Sequence, residues 1–319
     1  MRSDLKLIYD WVDQNYRHLN LHIKQLDWTK KYGANIFDFE SSIEIDNSVF
    51  IGRSADFCKE LAIVKSIVEA LERSSVPANS TSSGFAAHLD EKLASLKAKN
   101  ELIEHDLFLR SFHSKKSFKK ITRPELRFGK FNSDIDKCFQ KVDFYLMNIL
   151  DGFYFTIARI RFNDGIILGI GSEYTIEKSC EKSFLELIRK FSYYKKSQVK
   201  SITLAEFSLI CNPTFFDHGL LALNGDYNEM ITFLFDDREL FLKNDFQFYS
   251  STIFVSDYTW NHRLIDLNIP LYLKRAESDK MIKLYTGIPK VEYFSNVNLF
   301  AHNSKNDDTH LMLLPHPIA

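Results

Sequence analysis

The sequence predicts an α+β fold, and three observations carry the prediction. Four stretches repeat apolar residues at helical spacing. Several others concentrate β-branched and aromatic residues between turn signals. Of the 319 residues, 45% are hydrophobic, enough to build a sizeable core. Lys+Arg total 41 against Asp+Glu at 42, so no global electrostatic grip on nucleic acid or anionic membrane is expected. No apolar run reaches the ~18 residues of a membrane span. The opening Met1-Arg2-Ser3-Asp4-Leu5-Lys6 carries charges where a signal peptide has its apolar segment, and the expected location is the cytoplasm.

Residues 4–26 read as an amphipathic helix with Leu5, Ile8, Trp11 and Val12 on one face, capped by Ser3 or Asp4. A second helix is expected over 57–73, with Phe57, Leu61, Val64 and Leu71 on its apolar stripe. The Ser-rich stretch 74–83 reads as a loop, and a third helix follows over 89–109. Strands are expected at 142–149, 153–162 and 166–170, the last two joined by Asn163-Asp164-Gly165. A fourth helix spans 173–191. Beyond Lys200, short apolar runs alternate with turn residues, as at 253–255 and 269–273. The organisation expected is an N-terminal helical extension over 1–49 followed by one unit over 50–319.

Several features have ordinary readings. Cys58, Cys138, Cys180 and Cys211 are widely spaced, so neither zinc nor a disulfide framework is expected. Lys115, Lys116, Lys119, Lys120, Arg123, Arg127 and Lys130 form a basic run that reads as a solvated face, with an acidic partner or leader peptide as the alternative. Asp217-His218 reads as a turn with a surface histidine, an acid–base pair being the less common option.

A threefold register runs through the helices. Gly52 to Glu69, Gly84 to Glu101 and Gly169 to Glu186 each span 17 positions. In every frame a small residue follows the glycine by three (Ala55, Ala87, Ser172), and a lysine precedes the glutamate by four (Lys65, Lys97, Lys182). An aliphatic residue follows the glutamate by two (Leu71, Ile103, Ile188), and Arg73, His105 or Lys190 follows it by four. Position plus three is Glu72, Glu104 and Arg189. Three copies of a strand-turn-helix unit are expected, each ending a strand at its glycine. If the helices converge, Glu69, Glu72, Glu101, Glu104 and Glu186 meet beside several cations. Crowded carboxylates repel unless they hold metal, and Mg²⁺ commonly takes one or two carboxylates plus phosphate oxygens. The expected ligand is a Mg–nucleotide. Taken singly, each K-x-x-x-E is an exposed helical ion pair worth ~0.2–0.5 kcal/mol. No G-x-x-x-x-G-K-[ST] or kinase signature is present, and Gly169-Ile170-Gly171 lacks a third glycine.

Four segments resemble the YcaO-domain family, ATP-dependent enzymes that modify peptide backbones in azole, thioamide and microcin pathways. Ser66-Ile67-Val68-Glu69-Ala70-Leu71-Glu72-Arg73 fits the family's S-x-x-E-x-x-E-R. Thr81-Ser82-Ser83-Gly84-Phe85-Ala86-Ala87, followed by Glu101-Leu102-Ile103-Glu104-His105-Asp106, is similar to T-S-x-G-x-A-A … E-L-I-E-R-D. Lys182-Ser183-Phe184-Leu185-Glu186 resembles the third unit's R-x-x-x-E, and Pro315-His316-Pro317-Ile318-Ala319 resembles the proline-rich carboxyl terminus. His105 and Lys182 stand where the family has arginine, and Arg189 where it often has glutamine. Ile318-Ala319 replaces the terminal proline.

The resemblance implies three strand-turn-helix repeats around a nucleotide site, with mixed and antiparallel sheets. It implies a cyclodehydratase using ATP and Mg²⁺: a Cys, Ser or Thr of a precursor peptide attacks the preceding carbonyl, phosphorylation activates the oxygen, and an azoline ring closes. Glu69, Glu72, Glu101, Glu104 and Glu186 would hold Mg²⁺, and Ser66, Arg73, Ser82, Ser83 and Lys182 would contact the nucleotide. His316, Pro317 and Ala319 would reach into the site as catalytic residues, the terminal carboxylate aiding proton transfer. A ubiquitin-activating-enzyme-like protein would bind the leader peptide within an oligomeric complex. A thioamide-forming enzyme and a non-catalytic scaffold subunit are the alternatives. Replacing Glu69 or Glu186 by Gln is expected to leave the metal-free protein as stable or more so, because repulsion is relieved.

Overall fold

The structure is a computed structural model that describes residues 3–26, 35–76, 83–113, 115–121, 139, 141–150, 152–197, 199–210, 215–236, 253–258 and 266–278. Helix α1 (Ser3–Asn15) is followed by strand β1 (His22–Gln25), then by the hairpin β2 (Phe37–Ile45) and β3 (Ser48–Asp56). The three strands form one antiparallel sheet in the order β1-β2-β3. Asp46 and Asn47, both at positive φ (51° and 63°), make the two-residue turn that suits the right-handed twist of a hairpin. The helix expected over 4–26 therefore stops at Asn15. There the Asn15 side chain donates to the Trp11 carbonyl at 2.9 Å, Asn20 turns into the left-handed region, and 22–25 pair with β2. The 1–49 boundary falls inside the β2–β3 hairpin, and the extension expected to be helical contains strands.

Helix α2 (Lys59–Ser75) starts where the Cys58 N–H donates to Asp56 Oδ1 at 2.9 Å. It stops at Val76, which precedes Pro77 and is extended (φ −71°, ψ 127°), as residues before proline tend to be. Strand β4 (Phe85–His88) and helix α3 (Glu91–His113) follow. Strands β5 (Phe118–Ile121), β6 (Asp143–Leu150), β7 (Phe153–Phe162) and β8 (Gly165–Glu173) lead to helix α4 (Ile176–Ser197). The Asn163 turn joins β7 to β8 as expected. Three short helices come next, α5 (Leu204–Ser208), α6 (Phe215–Ala222) and α7 (Gly225–Met230). They replace the alternating runs read beyond Lys200. Helices of 5 to 8 residues are too short to show a 3.6-residue period. What starts α5 is a capping box, in which Thr203 and Glu206 satisfy each other's backbone N–H groups. Strands β9 (Phe235–Asp236), β10 (Phe254–Asp257) and β11 (Tyr272–Glu277) complete the described elements.

The sheets are β1-β2-β3, β10-β11-β4 and β8-β7-β6-β5-β9, all antiparallel except the β5–β9 pair. The α+β class with mixed and antiparallel sheets is met. Each long helix lies on its own sheet: α2 on β2–β3, α3 on β4–β11, and α4 on β7–β8. Strand β8 is buried on both faces. Phe184, Leu187 and Phe191 of α4 cover one side, while Phe108 and Phe112 of α3 with Leu221 and Tyr227 cover the other. That explains its near-continuous apolar run instead of alternation. Cys180 is fully buried in the α4 interface, and burial pushes its thiol pKa up. Cys58 is partly buried, and both are free thiols. Cys138 and Cys211 lie outside the described residues. Asp217 and His218 are on α6, and His218 is fully buried beside the Phe207 ring, so it is a core residue and not a surface one. In the basic run, Lys119 and Lys120 lie on β5, with Lys120 3.0 Å from Asp143. Arg123, Arg127 and Lys130 lie outside the described residues.

The glycine register has a physical cause. A Cβ at Gly52 would come within 2.0 Å of the Ser66 carbonyl and 2.3 Å of the Ala70 nitrogen. At Gly169 it would meet the Ser183 carbonyl at 2.1 Å and the Leu187 nitrogen at 2.4 Å. The contacts fall 14 and 18 positions after each glycine, so units one and three seat helix on strand identically. Both glycines lie inside their strands and not at the ends. Gly84 precedes β4 at φ +81° and meets Leu102, again 18 positions on. Gly169→Ala should cost at least ~3 kcal/mol, because backbone cannot yield to the methyl group. Gly152→Ala, at φ +79° with nothing within 4 Å, should cost only the ~1–2 kcal/mol of left-handed backbone. Urea unfolding of the two variants checks this.

Candidate active site

The three units interlock in a ring. Helix α2 of unit one touches β4 of unit two, α3 touches β8 of unit three, and α4 returns to β3 of unit one. The side chain 20 positions after each glycine makes the connection. Glu72 accepts from the Ala87 N–H at 2.5 Å. Glu104 accepts from the Ser172 hydroxyl and from Lys182 Nζ, the latter at 2.8 Å. Arg189 donates from Nη2 to both oxygens of Glu69 at 2.8 and 2.9 Å. Ala87 and Ser172 are the small residues three positions after their glycines, so the repeat read in the sequence is also a contact pattern.

The predicted carboxylates are therefore brought together, with unequal surroundings. Glu69 accepts from Arg73 Nη2 at 2.7 Å and from the Arg53 N–H at 3.1 Å, besides Arg189. Arg189 Nη1 reaches Glu186 Oε2 at 2.8 Å. Glu101 makes no hydrogen bond or ion pair among the described residues. Burial, and then Glu72, Glu104 and Glu69 nearby, push the Glu101 carboxyl well above its usual pKa, with Lys182 opposing. Burial raises Glu72 to about 8 against the pull of the Ala87 N–H, with Glu69 adding to the rise. Burial raises Glu186 too, but Arg189, Lys190 and Lys182 outweigh it and hold the group below the carboxylate norm. Desolvation works against the Lys182 ammonium, yet Glu104, Glu173 and Glu101 carry it above the usual lysine value. The three repeat lysines also converge: Lys97 is lowered by desolvation and then by Lys65 and Lys182.

Among the expected nucleotide contacts, Lys182 and Arg73 border the carboxylates, each about half exposed. Ser66 is fully buried between α2 and β2, bonded to Ser41 at 2.6 Å and to the Ile63 carbonyl at 2.8 Å. The close seat of α2 on its sheet covers it, away from the edge where Lys182 and Arg73 lie. Ser83 is buried and 2.8 Å from His105 Nδ1. Burial lowers His105 to about 4, so it is neutral at pH 7, unlike the arginine it replaces. Ser82, His316, Pro317 and Ala319 lie outside the described residues. Sequence reading missed Arg53, whose guanidinium reaches Asp38 at 3.3 Å and Ser192 at 3.0 Å. Its position directly after Gly52 was the available signal. The clamp made by Arg189 was missed as well.

No family model and no curated protein matches the sequence. Solved structures do match. YcaO from Methanopyrus kandleri, bound with AMPPCP and Mg²⁺, superposes with a TM-score of 0.60 at 11% identity, over 86% of this chain and 90% of that one. The chain has the YcaO fold. A heterocyclase in complex with substrate and cofactor gives a TM-score of 0.63 at 11% identity, covering 98% of this chain. This chain spans 57% of that heterocyclase's length. The four motifs implied the YcaO fold, and the superpositions meet that expectation. No helix among the described residues is long and apolar enough to cross a membrane.

The donor set at the centre of the YcaO fold is hard oxygen, the class that binds Mg²⁺ or Ca²⁺. Among the described residues no three of His, Cys, Asp and Glu already stand as a metal-holding group. Glu101, whose side chain makes no hydrogen bond or ion pair among the described residues, has the donor chemistry for such a cation, but it does not form a metal-holding group with Glu72 and Glu104.

Two outcomes follow for the protein without divalent cations. Glu101→Gln should raise its stability at pH 7.5 by ~1 kcal/mol, through relieved like-charge burial. Glu69→Gln should lower it by ~3 kcal/mol, because Arg189 loses one of its two counter-charges and Arg73 loses its own. The relief expected for Glu69 thus belongs to Glu101. Denaturant melts in EDTA distinguish the two.

The pH dependence is also fixed in sign. Glu72 is raised to about 8 from 4.5, so the folded state holds its proton while the unfolded chain has lost it. Its contribution to stability falls as pH rises from about 4.5 to 8. His105, lowered to about 4 from 6.5, acts oppositely, but only below about 6.5. Between pH 6.5 and 8 the wild type should therefore lose stability relative to Glu72→Gln, as paired melts would show.

Proposed function

We propose that this chain is a Mg·ATP-dependent cyclodehydratase acting on a precursor peptide, forming azolines from Cys, Ser or Thr. The observation that carries the reading is the ring of repeat carboxylates, with lysines and arginines between them, at the centre of a fold shared with a structure bound to AMPPCP and Mg²⁺. In this reading Glu69, Glu72, Glu101, Glu104 and Glu186 would be the cation's carboxylates, and of the five only the Glu101 side chain makes no hydrogen bond or ion pair among the described residues. Bound Mg·ATP supplies the phosphoryl group that makes an amide oxygen a leaving group.

The chain's own contribution is positioning and charge. Lys182 remains protonated through Glu104 and is half exposed, so its ammonium can meet phosphate oxygens. Arg73 stands at the edge with its guanidinium half exposed. His105 stays neutral and holds Ser83 in place without adding charge. Such preorganised charges need no rearrangement when charge develops on the transferred group. His316, Pro317 and Ala319 are proposed to supply the terminal proton-transfer group. A ubiquitin-activating-enzyme-like partner that binds the leader within an oligomeric complex belongs to the same proposal, as does a cytoplasmic location.

A second reading has one specific observation in its favour. Arg189 and Lys182 already neutralise Glu69, Glu186 and Glu104, as a scaffold subunit without catalysis would require. Calorimetry with Mg·ATP separates the two, since absence of binding at millimolar nucleotide supports the scaffold. Reconstitution with precursor peptide and mass spectrometry then defines the product: loss of water marks an azoline, and exchange of oxygen for sulfur marks a thioamide. Glu101→Gln should cut peptide-dependent ADP release at least ~100-fold while its circular dichroism is retained. Normal turnover by that variant would sink the carboxylate assignment.

A further inference from the structure

We infer that the β3 edge at Val49–Ile51 pairs with the same segment of a second copy of this chain. The product is a twofold dimer held by one continuous sheet, three strands from each copy. The inference goes beyond the proposed Mg·ATP chemistry and does not depend on it.

Strand β3 is an edge of the β1-β2-β3 sheet among the described residues. Ile45 and Ser48 flank the two-residue turn, so they form its closing hydrogen-bonded pair, and bonded pairs recur at every second residue. Phe50 and Gly52 therefore turn their N–H and C=O groups toward β2. Val49, Ile51 and Arg53 turn theirs outward. Two observed bonds agree: the Arg53 N–H donates to Glu69 Oε2 at 3.1 Å, and the Ile51 carbonyl accepts from Arg73 Nη1 at 2.8 Å. Those two side chains of α2 close the edge at one end, and the Asp46–Asn47 turn closes it at the other. Between them, the Val49 N–H and C=O and the Ile51 N–H make no hydrogen bond outside the sheet among the described residues.

Proteins commonly blunt an open edge with charge or proline. The other edge of this sheet, β1, carries His22 and Lys24. Ser48-Val49-Phe50-Ile51-Gly52 has no charged residue and no proline, yet Val49 and Ile51 are 62% and 43% exposed. Such a segment is complementary to itself. With antiparallel strands and the twofold axis at Phe50, Val49 of each copy lies opposite Ile51 of the other. These opposed residues exchange N–H···O=C bonds, the Ile51 carbonyl keeping a second lone pair beside Arg73. Their β-branched side chains meet across the strands, and each partly buried Phe50 is covered by its twin. The register is bounded. A slip of two residues sets Ile51 against Asn47 in the turn, or Val49 against Arg53, whose N–H Glu69 already holds. A slip of one misaligns every bonding group. Three residues a side bury less than the ~1,200 Å² of a standard interface, so the dimer should be reversible at micromolar concentration.

Sedimentation equilibrium of the full chain between about 1 and about 100 µM tests this, and the wild type should pass from monomer to dimer. Val49→Lys charges the edge without touching the core. It should weaken dimerisation at least ~10-fold while the melting temperature stays level. Phe50→Cys supplies an independent reading of the register. At the axis, a non-hydrogen-bonded antiparallel pair has Cα atoms about 4.5 Å apart, within disulfide reach. Mild oxidation should therefore crosslink Phe50→Cys beyond the wild type, and Ser48→Cys, which lies opposite Gly52, should not crosslink. A wild type monomeric over the whole range, as expected if an extended peptide of another protein is the true occupant, would overturn the inference. So would a dimer unmoved by Val49→Lys, or crosslinking through Ser48→Cys and not through Phe50→Cys.

Discussion

The backbone-to-backbone seat of a helix on a strand glycine is the constraint on which the site depends. At Gly52 and Gly169 no side chain separates strand from helix, so the helix lies far closer than the usual side-chain-mediated distance. That seat fixes the rotation and height of α2 and α4. The glutamate 17 positions after the glycine therefore emerges at an equivalent place in both units. Packing at this distance tolerates no added methyl group, which makes the seat a rigid datum for the charges above it.

Charge then organises what packing has brought together. Five carboxylates on three helices would repel one another if left alone. The fold answers on one side with permanent cations, Arg189 and Arg73 against Glu69 and Glu186. On the other side Lys182 meets Glu104, while Glu72 and Glu101 carry the burden of burial as raised pKa values. The result is a centre with a satisfied half and a half whose carboxylates favour holding their protons. Buried groups in such an unsatisfied state are where function is commonly found.

The sequence makes the repeat, the long helices and the central hairpin legible, because each has a periodic or turn signal. Gly52, Gly169 and their glutamates share a register that no ordinary amphipathic helix requires. The Asn163 turn and the strands around it are equally direct. Other parts were not legible for identifiable reasons. Strand β1 is four residues long with little alternation, and its continuation from α1 looks helical until Asn15 and Asn20 end the run. The burial of Ser66, an expected nucleotide contact, was not legible because sequence does not reveal how closely a helix sits on its sheet. The partners of Glu69 come from 16, 4 and 120 residues away. Spacing within one helix reports the second of these, and only topology reports the third.

The ring closure bears on the order of assembly during synthesis. Unit one is made first, but its Glu69 meets Arg189 only after another 120 residues have emerged, and Glu104 waits 78 residues for Lys182. Contacts between residues so far apart form late, after the loops between them have closed. A nascent or truncated chain lacking α4 therefore carries acidic helices with no cation from unit three between them. Such a chain cannot close the ring, and the charge pattern of the centre is complete only with the last long helix.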